Sequence, residues 1–147
     1  MRVVPAALAL VLVAACTPAE EPAMEAEAAM PATPTLADFA GTWNTSATLT
    51  GVADPVPSTM VGTADGVWTM TLEGRESIPL TVSMVGDSLV SESAEYESVL
   101  RPGVMVTVRT AAVMHDGMMM GNMIATYKMD GVTETVTGTI TGTRAQQ

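Results

Sequence analysis

The 147-residue chain contains one cysteine, Cys16, and one histidine, His115. A lone thiol excludes any disulfide within the chain. A lone imidazole excludes metal sites built on a histidine pair. No Gly-x-Ser-x-Gly elbow and no phosphate-binding loop occurs either. Aromatic residues are scarce, with two Trp, two Tyr and one Phe. Basic residues number six against sixteen acidic ones, for a net charge of −10. A chain this acidic, with its few cations scattered singly, has no electrostatic footprint for nucleic acid. The same field opposes close approach to anionic lipid headgroups. These absences lead us to expect a protein that is not an enzyme, carries no cofactor and has no nucleic-acid partner.

Long apolar runs are also few. Val3–Val13 is the longest, following the positive Met1-Arg2. At ~1.5 Å per residue such a segment spans only ~16 Å as a helix, about half a bilayer core. Its length, charge and small-residue ending match an export signal. The stretch Val13-Ala14-Ala15-Cys16 resembles the lipobox of bacterial lipoproteins. That resemblance implies cleavage before Cys16 and acylation of its thiol, with two or more acyl chains giving stable attachment. Residues 1–15 are then a signal peptide, and the membrane is a partner through Cys16. Removing Arg2 takes the net charge from −10 to −11. Thr17, in place of an aspartate, implies an outer-membrane location facing the periplasm, by the same resemblance.

Residues 16–34 carry the expected lipidated cysteine and a linker of Ala, Glu, Pro and Thr with four acids and no base. Such a composition cannot bury enough apolar surface to offset its ordering entropy, so a flexible tether is expected. Its reach is roughly 25 Å as a random coil and about 55 Å fully extended.

From residue 35 to 147 the pattern changes to short alternating runs divided by turn signals. Asp65-Gly66, Gly86-Asp87, Pro102-Gly103, Asp116-Gly117 and Asp130-Gly131 punctuate the chain. Between them, Trp43, Ala47 and Leu49 alternate with polar neighbours. So do Trp68, Met70 and Leu72; Ile78, Leu80, Val82 and Met84; and Val104, Val106 and Val108. In the last run Val132, Val136 and Ile140 share a face, opposite a stripe of threonines from Thr133 to Thr143. Period two throughout predicts an all-β domain. Seven to eight strands in an antiparallel up-and-down meander hide one apolar face by closing, or nearly closing, into a barrel.

Phe39-Ala40-Gly41-Thr42-Trp43 is similar to the Gly-x-Trp opening of the lipocalin and calycin group. The resemblance implies a small lipocalin-like barrel in which Trp43 packs at a closed end, near a last-strand arginine. Arg144 is the residue that would fill this role, as a cation–π cover of the barrel floor.

Two candidate sites follow. Flexible thioethers and small residues are expected to line an interior space for a small apolar ligand, with Trp68, Met70, Leu80, Val82 and Val106 as the walls. The alternative is a copper site in Met114–Met123. A two-residue turn at Asp116-Gly117 pairs His115 with Met118 and Met114 with Met119, and those soft donors suit Cu(I). A third reading is a purely structural or assembly role. Glu92, Glu95 and Glu97 read as a solvated face, and Arg101 as an exposed turn residue.

Overall fold

The computed structural model describes residues 32–146. The signal segment, Cys16 and all but the last three residues of the linker lie outside the described residues.

A capping box opens the described chain. Thr35 donates its backbone N–H to the Asp38 carboxylate at 2.7 Å, which starts the four-residue helix α1, Leu36–Phe39. Nine strands follow: β1 (Gly41–Leu49), β2 (Val56–Gly62), β3 (Trp68–Leu72), β4 (Ile78–Val85) and β5 (Ser88–Ser93). The remaining four are β6 (Tyr96–Glu97), β7 (Met105–His115), β8 (Met118–Met129) and β9 (Val132–Arg144). All pairings are antiparallel. β5 pairs with β7 at Leu89↔Ala112, and the short β6 continues along the same neighbour at Tyr96↔Val106. β9 returns to β1 from Trp43↔Arg144 to Leu49↔Gly138 and closes the ring. The result is an eight-stranded closed antiparallel barrel with one extra strand, as the alternation predicts.

Alternation explains the inside and the outside. In β1 every odd residue from Trp43 to Leu49 is buried, and in β3 Trp68, Met70 and Leu72 are. The β9 threonines point to solvent while Ile140 and Gly142 face in. The two long hairpins, β7–β8 and β8–β9, turn on Asp116-Gly117 (φ 49° and 78°) and Asp130-Gly131 (φ 41° and 83°). Positive φ at both central positions gives the turn whose twist matches paired strands. This fixes the predicted register, Met114↔Met119 and His115↔Met118.

One end of the barrel is a solid floor. Phe39 and Trp43 are wholly buried there, beside Trp68, Leu89 and Met119. Gly62 is required at this point, because a Cβ on it would sit 2.1 Å from the Trp68 ring. The Trp43 indole N–H donates to the Phe39 carbonyl at 2.8 Å. Arg144 covers the indole from outside, its guanidinium 4.3 Å from the ring centroid. It also donates to the carbonyls of Ala40 (2.6 Å) and Asp38 (2.5 Å). Helix, first strand and last strand are thus tied at one point. A second cluster of Ala47, Leu49, Val106, Met123, Ala125 and Tyr127 fills the far end. That end is the mouth, reached by the β1–β2, β3–β4 and β8–β9 connections and by residues 94–104, here called the strap.

Candidate functional site

Below the strap, against the second cluster, is an interior cavity of about 50 Å³. Its walls are mixed. Met60, Met70, Leu80, Val106 and Met123 supply apolar surface, while Ser58, Ser91, Ser93, Ser98 and Thr110 supply hydroxyls. Each strand contributes by its pleat: Ser91 and Ser93 are inward positions of β5, and Thr110 is one of β7.

Burying a hydroxyl without a partner costs about 1–3 kcal/mol in a protein, so every one should be bonded. They are. Ser91 and Thr110 share a hydrogen bond of 2.7 Å across the β5–β7 pair. Ser93 Oγ accepts the Val108 N–H at 2.9 Å, and Ser58 pairs with Thr45 at 2.7 Å. Ser98 Oγ accepts the N–H groups of Leu100 and Arg101, both at 3.1 Å, which shapes the strap. No buried side-chain polar atom lacks a partner among the described residues. Tyr96 also lines the space, and burial, reinforced by the neighbouring Tyr127, pushes its phenol up to about 12.

The strap spans the mouth and is fastened on the far side. Arg101 makes a two-pronged ion pair with Glu134 of β9, at 2.8 and 2.9 Å. The same guanidinium lies 4.2 Å over the ring of Tyr127, the residue opposite Glu134 in β8. The pair holds the Glu134 carboxyl below the usual carboxylate range. Lys128 forms a further ion pair with Glu95, and the Glu97 carboxylate accepts the Gly103 N–H at 2.9 Å.

Of the predicted ligand residues, Met70, Leu80 and Val106 line the cavity. Trp68 and Val82 do not. Trp68 belongs to the floor, where its indole N–H reaches the Thr63 carbonyl at 3.2 Å. Val82 is half-buried on β4, packed against the core outside the cavity wall. The proposed metal donors are divided by the pleat. Met119 is buried and Met114 half-buried, facing in, whereas His115 and Met118 are exposed on the outer wall. Opposite faces of one hairpin cannot present all four to a single ion. His115 instead approaches its neighbour Asp116 at 3.3 Å. The buried hydroxyls and the Arg101–Glu134 pair were missed by sequence reasoning. Strict parity along β5 and β7 would have flagged the first, since Ser91, Ser93 and Thr110 share the apolar phase of their strands.

No protein-family model matches the chain, and no curated protein matches its sequence.

Proposed function

We propose that the protein is a non-enzymatic binding module, exported and held at the cell envelope by lipid on Cys16, with its ligand site inside the mouth of the barrel. The observation that carries the binding reading is the wall of the cavity. A barrel needed only as a scaffold fills its interior best with aliphatic side chains. Here bonded hydroxyls interrupt an apolar lining, the mixture typical of small-molecule sites. The occupant is small and mainly apolar, because the space of about 50 Å³ lies below the ~300 Å³ or more of a site that encloses a drug-sized ligand. Anything larger requires the strap to lift. The anchor rests on Val13-Ala14-Ala15-Cys16 and on the acidic chain, which leaves a covalent lipid as the route to a membrane.

Two measurements test this. Protein purified from the envelope should yield a co-purifying compound on solvent extraction and mass spectrometry. Val106→Phe, which pushes a ring into the cavity, should lose that compound. An empty extract from both proteins counts against a ligand. Metabolic labelling with a palmitate analogue should mark the wild type and not Cys16→Ser; equal labelling of both refutes the anchor.

A further inference from the structure

Outside the strap lies a surface groove of about 380 Å³ between the β1–β2 connection and the strap, lined by Val52, Ala53, Leu100, Arg101, Tyr127 and Val136 among others. Leu100 and Tyr127 line both this groove and the inner cavity, so they form the partition between them. Moving Leu100 takes away one of the two residues between the spaces, and their combined volume enters the range of roughly 300–1,000 Å³ used by small-molecule sites.

What would stay behind is decided by which side of the mouth is rigid. Tyr127 and Glu134 stand on a hairpin paired continuously from Met118↔Thr143 to Met129↔Val132. Leu100 and Arg101 stand on the strap, which pairs with β7 at Tyr96 and Glu97. Lifting the strap therefore carries away an aliphatic side chain and a cation. It leaves a carboxylate beside the face of an aromatic ring. Those are the two groups that recognise an organic cation.

Resting on the reading of the barrel as a binding module, we propose that Leu100 and Arg101 are an internal stand-in for the ligand. The ligand is an amphipathic organic cation, an amine, guanidine or quaternary ammonium on a short aliphatic chain. Its head takes the place of Arg101 between Glu134 and Tyr127, and its chain passes the position of Leu100 into the cavity. The chain's net charge, −10 and one unit more negative once Arg2 is removed, concentrates such cations near the surface. Arg101, already one-third exposed, moves into water on its long flexible stem, with its charge solvated.

Calorimetric titration of the purified protein at neutral pH with octylammonium, octanoate and 1-octanol separates head from chain. Octylammonium should bind at least tenfold more tightly than either of the others. Glu134→Gln, at an exposed site, should shrink the ammonium-to-octanol ratio to threefold or less. Arg101→Gln, which removes the competitor, should keep that ratio and tighten octylammonium several-fold. Equal binding of all three probes, or a preference for octanoate that Arg101→Gln abolishes, overturns the cationic ligand and leaves the binding module intact. Failure of all three probes with both wild type and Arg101→Gln overturns both.

Discussion

Gly121 and Gly142 both face the barrel interior from neighbouring strands, yet an added methyl group should affect them very differently. A Cβ built on Gly121 lies 2.1 Å from the Ala111 carbonyl oxygen and 2.5 Å from the Ala112 Cα. Both are backbone atoms of β7, in the middle of its pairing with β8, so neither can rotate aside. Relief requires the two strands to separate at this point. A Cβ on Gly142 meets the Thr45 methyl at 3.0 Å and the Met119 methyl at 3.1 Å. The Met119 methyl is a flexible side-chain end with rotamers to spare, and the Thr45 methyl, though its hydroxyl is held by Ser58, need give only a few tenths of an ångström. Overpacking ordinarily costs about 1–3 kcal/mol. Gly121→Ala should therefore lose ~3 kcal/mol or more, and Gly142→Ala ~1 kcal/mol or less. With a urea dependence of ~2 kcal/mol per molar, the first shifts the unfolding midpoint down by ~1.5 M and the second by ~0.5 M at most. Equilibrium urea unfolding followed by tryptophan fluorescence gives both numbers. Midpoints that fall together, or a Gly121→Ala protein within ~1 kcal/mol of wild type, would refute the close approach of β7 and β8.

Three further outcomes follow from the interior. Ser91→Ala leaves the Thr110 hydroxyl without its partner and should cost ~1–2 kcal/mol, whereas the double variant with Thr110→Val should recover most of that loss; a double variant as unstable as the sum of the single ones contradicts the pairing. Met119→Ala removes a side chain only 1 % exposed from the floor and should cost ~2–5 kcal/mol by urea unfolding. Tyr96 is raised to about 12, so its stabilising effect is complete below pH 10 and declines as pH rises from 10 towards 12. Spectrophotometric titration should show one phenol ionising late, and Tyr96→Phe should remove both that step and its part of the alkaline loss of stability.

The parts legible in the sequence are those governed by neighbours in the chain. Alternation alone assigned Trp43, Ala47 and Leu49 to the interior and the β9 threonines to solvent. Two Asp-Gly turns set the register of the last three strands to the residue. The Trp43–Arg144 contact joins residues about a hundred positions apart, and only family resemblance suggested it; local pattern has no access to a ring closure. The mouth is hidden from local pattern for the same reason. Arg101 looks like a solvated turn residue until β9 brings Glu134 within 2.8 Å of it. The hydroxyls of Ser91 and Ser93 are polar yet sit in the inward phase of β5, so polarity and parity point opposite ways there. The division of Met114 and Met119 from His115 and Met118 is implicit in the register, which places the two pairs on opposite faces of the hairpin.

A high-resolution crystal structure of the protein purified from its own envelope tests the binding reading most directly. It should contain continuous density from a non-protein molecule running from the position of Leu100 down towards Met70, with the strap displaced and Glu134 facing the molecule's head. A closed strap, an intact Arg101–Glu134 pair and no more than one or two waters in the cavity would contradict it.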